Sequence, residues 1–392
     1  MANQTITAIK HPLDENKVSE TKAVTVVNVA VAVIYYENQY LLGFRDGSQH
    51  QGNRYEFVGG KIDGHETAKQ ALIREVAEET GIDIASNIAV KLGRLHHDYG
   101  DKQVCLQVYK VALSAQQYEA HKHRKQGLEG QALTWVDKSK LLAGDYHLPA
   151  ANKTILAWLR LPAQIAITYP LAHFNDAADS AAAWLQYHAA HLVQDAWVYI
   201  RPKATDTDTE YSLEQLLRLR PDIHAIVPDA LIDKLTDKLT DKLSDVFNSN
   251  EANEIAINHQ IVASHLTQTQ LMQWSNSHQS KDVSDCNNAL SHSSSYPLIV
   301  SCHDADSIDA ANQLAHMRLE QQLPPVIGMF LSPVLVTQSH PETAPLGWQA
   351  WAELAALADM PVIALGGLSP VLHVQAQQYG GIAVAGIRRF FQ

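Results

Sequence analysis

The stretch GKIDGHETAKQALIREVAEETGI, residues 60–82, carries the strongest chemical pattern in the chain. Within it Glu75, Glu78 and Glu79 stand at i, i+3 and i+4, so on a helix their carboxylates share one face. Like charges this close weaken a bare helix unless a cation lies among them. A hard divalent cation prefers oxygen ligands and also bridges substrate phosphates. The pattern therefore predicts a metal site built for phosphate chemistry.

Local signals around these glutamates predict a well-defined helix. Thr67 is placed to cap its start, and Gln70 three residues later completes a capping box. Gly81 is placed to end the helix in a left-handed turn. Arg74 lies four residues before Glu78 and can hold that carboxylate in position. A solvated acidic helix is the alternative interpretation, but the fixed register of the surrounding glycine, glutamate and arginine favours the metal site.

The segment resembles the Nudix signature, which marks hydrolases of nucleoside diphosphates linked to another group. Gly60, Glu66, Arg74 and the glutamate run occupy the fixed positions of that signature. Around it, VVNVAVAVIYYENQYLLGF, RYEFVGGK, HHDYGDKQVCLQVYKV, GLEGQALTWVD and LPAANKTILAWL are similar to the MutT-type 8-oxo-dGTP diphosphatases. The resemblance covers about residues 22–161. It implies a Nudix α/β/α sandwich with a mixed sheet. The polar composition of residues 1–21 separately predicts an amino-terminal tail.

The resemblance also assigns roles by position. The metal ligands that it implies are Glu75, Glu78, Glu79, Glu129 and the backbone carbonyl of Gly59. The catalytic residues that it implies are Arg74, Glu75, Glu78 and Glu129, and the substrate-binding residues are Arg45, Phe57 and Asn152. Asn152 corresponds to an asparagine that hydrogen-bonds the oxidised purine. The chain departs from the family at Val58, where a proline usually follows the phenylalanine.

The implied reaction is the Mg²⁺-dependent hydrolysis of 8-oxo-dGTP to 8-oxo-dGMP and pyrophosphate, with Mn²⁺ as an alternative cofactor. Removing the oxidised nucleotide would protect DNA replication and limit the demand for DNA repair. A glutamate near the attacking water would remove its proton. The sequence leaves this general base open between Glu129 and Glu75.

Composition limits the partners of the chain. Its 392 residues contain 30 Lys and Arg against 42 Asp and Glu, a net charge of −12. Duplex nucleic acid is an unfavourable partner for such a surface, because phosphate binding requires clustered basic residues. The 3 cysteines show no metal-binding spacing and suit a reducing compartment. Neither a secretory signal nor an apolar run of membrane-spanning length is recognisable, so a cytoplasmic enzyme is expected.

The second half, residues 162–392, alternates short apolar runs with helical stretches. Such alternation predicts parallel strands with crossover helices, and the length suits a TIM (β/α)₈ barrel. Two insertions interrupt the rhythm, near residues 231–250 and 275–295. The first contains leucines at four-residue spacing, which we interpret as an expanded repeat lengthening a barrel helix rather than as a partner-binding helix. The second is predicted to be a polar loop.

The segments YIRPK, SHLTQTQL, VSCHDADSIDAA, LSPVLVTQSHPETAPLGW and PVIALGGLSP resemble the thiamine-phosphate synthase and TenI-like barrels. The resemblance implies a phosphate site at the carboxyl ends of the strands. Its candidate residues are Arg201, Lys203, Thr337, Gly366 and Gly367. His303 and Ser332 are further candidates for the lining of this pocket.

The barrel departs from those families at residues that carry their reactions. The synthase's Asn-Asp-Arg motif is Pro228-Asp229-Ala230 here, and Gln270 replaces a second magnesium-binding aspartate. The TenI histidine corresponds to Pro333. The sequence thus predicts a barrel that binds a phosphorylated thiazole or pyrimidine ligand and has lost or changed its reaction. Two alternatives stay open: a thiamine-metabolism enzyme, whose Nudix half would act on pyrimidine or thiamine pyrophosphates, and a non-catalytic metabolite sensor.

Overall fold

The computed structural model describes residues 26–47, 52–100, 102–203, 206–232, 259–279, 295–338 and 341–392. The predicted amino-terminal tail and most of the leucine repeat lie outside these ranges. Within the described ranges, no helix combines the length and the apolar character needed to cross a membrane.

The first half is built on a mixed sheet of seven strands. The strands are β1 (Val26–Tyr36), β2 (Gln39–Arg45), β3 (Arg54–Glu56), β4 (Val58–Lys61), β5 (Ala89–Asp98), β6 (Gln103–Ala112) and β7 (Ala132–Asp137). Their order is β3-β2-β1-β6-β5, with β4 added to β1 and β7 to β2. The β1–β6 pair is parallel, whereas the other pairs are antiparallel. A tight turn joins β1 to β2, and Glu37 adopts a φ of 50° in it.

Helices cover both faces of this sheet. They are α1 (Ala68–Thr80), α2 (Ala115–His121), α3 (Lys138–Ala143) and α4 (Asn152–Leu159). Successive residues of a strand point to opposite faces, so the alanines and Ile34 of β1 pack with Leu72 and Val76 of α1. Val31 and Val33 pack on the other face with Ile155 and Trp158 of α4. The predicted sandwich is therefore confirmed.

The ends of α1 follow the sequence signals. The Thr67 side chain accepts the N–H of Gln70, and the Gln70 side chain in turn accepts the N–H of Thr67, which completes the capping box. Gly81 ends the helix at a φ of 71° and donates its N–H to the carbonyl of Ala77. These caps fix the register of the glutamates relative to the sheet.

The second half is a closed barrel of eight parallel strands, which confirms the predicted fold class. The strands are β8 (Gln164–Ile167), β9 (Trp197–Tyr199), β10 (His224–Pro228), β11 (Ile261–Leu266), β12 (Leu298–Cys302), β13 (Val326–Leu331), β14 (Val362–Leu365) and β15 (Ala383–Gly386). The helices described around it are Ser180–His191, Asp206–Leu219, Gln268–Gln279, Ala305–Glu320, Gly347–Ala355 and His373–Gln378. The predicted polar loop does not begin at residue 275, because residues 275–279 continue a helix whose Trp274 is buried. Residues 280–294 of that predicted loop lie outside the described ranges.

The two halves share a core at the amino-terminal end of the barrel. Trp158 of α4 is 2% exposed, and its indole N–H donates to the carbonyl of Val326, the first residue of β13, at 3.0 Å. Arg94 of β5 pairs with Asp359, which precedes β14, at 2.9 Å. The first half of the chain therefore lies at the end of the barrel opposite to the carboxyl ends of its strands.

Candidate active site

The predicted metal-binding glutamates occupy three different environments on α1. Glu79 is well covered, and the N–H of Gly59 on β4 donates to its carboxylate. Glu75 lies against Gly60, where an added Cβ would be 2.2 Å from the Glu75 carboxyl carbon. Glu78 is 53% exposed and pairs with Arg74 at 3.0 Å. The structure thus brings Glu75 and Glu79 to β4, and it leaves Glu78 at the rim.

Arg74 organises the acidic face of α1. Its guanidinium contacts Glu66 at 2.5 Å, Glu75 at 2.9 Å and the carbonyl of Lys61 at 3.1 Å, in addition to Glu78. These bonds raise the pKa of Arg74 and lower that of Glu66. Arg74 therefore ties the loop after β4 to the helix and orients two of the predicted ligands.

The glutamates beneath the rim are crowded and partly buried, which disfavours their ionised forms. Burial, followed by the charges of Glu56 and Glu75, raises the pKa of Glu79 to about 8. Burial also raises the pKa of Glu75, against the effect of Arg74 and with smaller contributions from Glu78 and Glu129. Crowded carboxylates with raised pKa values are what a divalent cation stabilises, since it favours their ionised form. The donor set, all carboxylate and carbonyl oxygen, suits Mg²⁺ or Mn²⁺.

The described residues do not contain a ready-made cage of three or more acidic, histidine or cysteine side chains around one point. Arg74 occupies part of the acidic face through its bonds to Glu75 and Glu78. The residues nevertheless fit a metal by charge and donor type. Gathering Glu78 with the other two carboxylates would require its side chain to turn away from Arg74.

Glu129 lies on the exposed loop before β7, and this loop is fastened to the end of α1. The Leu128 N–H donates to the Glu79 carbonyl at 2.7 Å, and the Arg124 guanidinium bonds the Thr80 carbonyl. Glu129 raises the pKa of Glu75, so the two carboxylates interact electrostatically. The two predicted candidates for the general base are therefore within electrostatic range of each other.

The predicted nucleotide residues meet in one pocket beside β4. Arg45, Phe57, Gly59 and Asn152 line it together. Asn152 is 7% exposed at the first turn of α4, and Phe57 is 5% exposed. Because Gly59 also contacts Glu79, the pocket adjoins the acidic site. Val58, where the family usually has proline, is buried and pairs with Ala32 of β1 as an ordinary strand residue.

The structure adds pocket residues that sequence reasoning missed. Glu56 bonds the Arg45 guanidinium at 2.5 Å and also raises the pKa of Glu79, so it links the pocket to the acidic site. Tyr99 and Lys102, from the β5–β6 connection, line the pocket on another side. Glu56 directly precedes the predicted pocket residue Phe57, and this adjacency could have indicated its place beside the pocket. Tyr99 and Lys102 gave none, because only the folding of the sheet brings them there.

The barrel candidates lie at the carboxyl ends of several strands. Gly366 and Gly367 follow β14 at φ values of 109° and 69°, and an added Cβ at either would collide with the segment Pro333–Val336. Arg201 and Lys203 follow β9 and are exposed, and Thr337 follows Val336. The glycines thus contact the segment that leads to Thr337, whereas the two basic residues extend from another part of the barrel end.

Polar groups inside this end of the barrel include residues that the sequence did not suggest. His265 of β11 is 3% exposed, and its Nε2 lies 2.8 Å from the Ser301 hydroxyl. Burial lowers the pKa of His265 to about 3, with a smaller effect from Arg201. The ring of Tyr199 packs against the imidazole of His265, with 4.4 Å between the ring centroids. His303 and Ser332, which were predicted to line the pocket, bond to each other at 3.1 Å.

Comparisons with known proteins support the Nudix resemblance of the first half of the chain. The NUDIX domain family matches residues 29–158. The chain is 31% identical over 135 residues to the 8-oxo-dGTP diphosphatase of Escherichia coli K12. The aligned region covers 34% of this chain and 96% of that protein. It is 33% identical over 132 residues to the 8-oxo-dGTP diphosphatase of Haemophilus influenzae, and this aligned region covers 33% of this chain and 89% of that protein.

A second activity occurs among these relatives. The CTP pyrophosphohydrolase of Escherichia coli K12 is 30% identical over 136 residues, 33% of this chain and 88% of that protein. A solved MutT structure from Methanosarcina mazei Go1 is 25% identical and covers 34% of this chain and 92% of its own, with a TM-score of 0.29.

The fold, the signature and these relatives define a hydrolase of pyrophosphate bonds. The chain belongs to the Nudix family, and its Nudix half acts on substrates of the nucleoside triphosphate type.

Proposed function

We propose that the chain hydrolyses 8-oxo-dGTP to 8-oxo-dGMP and pyrophosphate with Mg²⁺, and so removes an oxidised precursor of DNA in the cytoplasm. The observation that carries the proposal is the buried Asn152 in a pocket that adjoins the acidic face of α1. The 8-oxo-dGTP diphosphatases among the relatives support the substrate.

The pocket is suited to reading a purine edge. The Asn152 amide offers both donors and an acceptor, which a base edge with altered hydrogen-bonding groups requires. Phe57 supplies an apolar wall, and Arg45, held by Glu56, supplies positive charge. A site that pairs a polar substrate group discriminates strongly against analogues lacking it, because its own groups are then left unpaired.

The acidic site supplies the chemistry. Divalent ions bound by Glu75, Glu78, Glu79, Glu129 and the Gly59 carbonyl would neutralise the phosphate oxygens. Arg74 holds Glu75 and Glu78 in place. A glutamate then takes the proton of the attacking water, which is worth roughly 10²- to 10⁴-fold in rate. The raised pKa of Glu75 suits it to this role, and the exposed Glu129 is the other candidate.

A nucleotide panel tests the substrate. With Mg²⁺, kcat/KM should be highest for 8-oxo-dGTP among 8-oxo-dGTP, dGTP, CTP, ADP-ribose and thiamine pyrophosphate, because the paired donors and acceptors of Asn152 favour the oxidised purine edge. CTP is included because one relative is a CTP pyrophosphohydrolase. A higher kcat/KM for CTP or ADP-ribose would contradict the proposal, and a higher value for thiamine pyrophosphate would favour a role in thiamine metabolism.

We further propose that residues 162–392 bind a phosphorylated thiazole or pyrimidine as a metabolite sensor. The left-handed turn at Gly366 and Gly367 is compatible with a backbone phosphate cradle, and Arg201 and Lys203 add exposed positive charge. The substituted Pro228-Asp229-Ala230 and Gln270 weigh against synthase chemistry.

Titration calorimetry of the full chain with thiazole phosphate should give saturable heat, because backbone N–H groups of the cradle can bind the phosphate and positive charge at the same end of the barrel attracts it. Arg201→Gln should weaken the binding, whereas Arg160→Gln, on the far side of the barrel after α4, should not. Absence of heat together with an unchanged rate of nucleotide hydrolysis would end the sensor hypothesis.

A further inference from the structure

Two elements, α4 and β5, supply hydrogen bonds and close packing where the hydrolase half meets the barrel. Trp158 of α4 donates to the Val326 carbonyl at 3.0 Å. On β5, Arg94 bonds Asp359 through both its guanidinium and its backbone N–H, and Lys91 donates to the Ala356 carbonyl at 3.0 Å. An added Cβ on Gly93 would lie 2.6 Å from the Asp359 carbonyl oxygen, so the backbones are in close contact.

The same two elements line the nucleotide pocket at their other ends. Asn152 begins α4, and Trp158 lies six residues further along, about 9 Å at the rise of an α-helix. The connection that follows β5 carries Tyr99 and Lys102 into the pocket. The barrel therefore contacts the elements that hold the base-recognising side chains.

The metal-binding helix is outside this arrangement. α1 packs on the opposite face of the sheet, with the alanines of β1. Trp158 and Ile155 of α4 belong to the core that continues into the barrel. A substitution at the barrel contact is thus expected to displace Asn152 more than Glu75 or Glu79.

We propose that Trp158 is a positioning residue for substrate recognition: its bond to the barrel fixes α4 and thereby sets Asn152 against the base. The barrel is then a structural part of the nucleotide site. This inference rests on the proposed role of Asn152 in binding the oxidised purine.

Trp158→Phe in the full chain removes the indole N–H and keeps an aromatic ring. KM for 8-oxo-dGTP should rise roughly tenfold, which corresponds to the loss of one buried hydrogen bond, while kcat changes less than twofold. The preference for 8-oxo-dGTP over dGTP should fall with it. Arg94→Gln, at a partly exposed position of the same surface, should shift KM in the same direction and replaces Trp158→Phe if that variant does not fold.

Trp351→Phe is the matched control. Trp351 is fully buried in the barrel, and its indole N–H donates to the Leu331 carbonyl, also on β13, at 2.9 Å. The Trp351→Phe variant loses the same kind of hydrogen bond at a position away from α4. Its KM for 8-oxo-dGTP and its preference for 8-oxo-dGTP over dGTP should therefore stay unchanged. Equal effects of the Trp158 and Trp351 changes on KM, or no effect of the Trp158 change, would overturn the inference.

Asn152→Ala separates this inference from the proposed function. If Asn152→Ala leaves the preference for 8-oxo-dGTP intact, the proposed base contact is wrong, and the positioning inference fails with it. If Asn152→Ala removes the preference while both Trp158→Phe and Arg94→Gln retain it, only the positioning role is overturned.

Discussion

Glu78→Gln should lower kcat for 8-oxo-dGTP roughly a thousand-fold, about 4 kcal/mol of transition-state stabilisation. The substitution keeps the shape of the side chain and removes the charge that the proposed metal site needs. Because Glu78 is 53% exposed at the rim of the site, its replacement should leave the fold intact. Steady-state kinetics with saturating Mg²⁺ and circular dichroism of the same preparations measure both effects.

Glu119→Gln provides the control for this prediction. Glu119 of α2 is 61% exposed and pairs at 2.6 Å with Lys122, the residue that caps the end of α2, so it resembles Glu78 in exposure and in having a nearby cationic partner. Its replacement should leave kcat unchanged. A Glu78→Gln enzyme that retains more than a tenth of the wild-type kcat would show that this carboxylate is not part of the catalytic machinery.

Gly59→Ala should destabilise the hydrolase half by about 3 kcal/mol or more, from backbone strain and overpacking together. Gly59 has a φ of 150°, and an added Cβ would lie 2.1 Å from the Ala30 carbonyl oxygen of β1. Relieving that clash must move β4, which carries the N–H that bonds Glu79. Chemical denaturation should show the loss of stability, and kinetics should show reduced hydrolysis in the fraction that folds.

Gly43→Ala tests whether the effect is specific to that position. Gly43 lies in β2, and an added Cβ there meets nothing within 4 Å. The change should alter the free energy of unfolding little and preserve hydrolysis. Similar stability losses for both alanine variants would contradict the packing explanation for Gly59.

The parts of the site that sequence predicted correctly depend on local interactions. The capping box at Thr67 joins residues three positions apart, and the left-handed turn at Gly81 joins residues four positions apart. The helix and the register of its glutamates could therefore be predicted from the local sequence. The strand–helix alternation of the barrel is a local pattern too. Such features require no knowledge of which segments meet in space.

The features that sequence did not reveal depend on distant contacts. Glu56 influences Glu79 only because β3 and β4 bring it beside α1. The bond between Trp158 and Val326 joins residues 168 positions apart. The pairing of Arg74 with Glu75 as well as Glu78 was equally out of reach, since it depends on side-chain rotamers rather than on helical spacing alone.

Binding of Mn²⁺, followed by electron paramagnetic resonance, tests the central claim about the acidic face of α1 most directly. Mn²⁺ accepts the same oxygen ligands as Mg²⁺ and is visible to the method. The full chain should bind Mn²⁺ more tightly in the presence of a non-hydrolysable nucleotide triphosphate, and a variant combining Glu75→Gln with Glu79→Gln should lose that binding while remaining folded. Undiminished Mn²⁺ binding by the folded double variant would contradict the account.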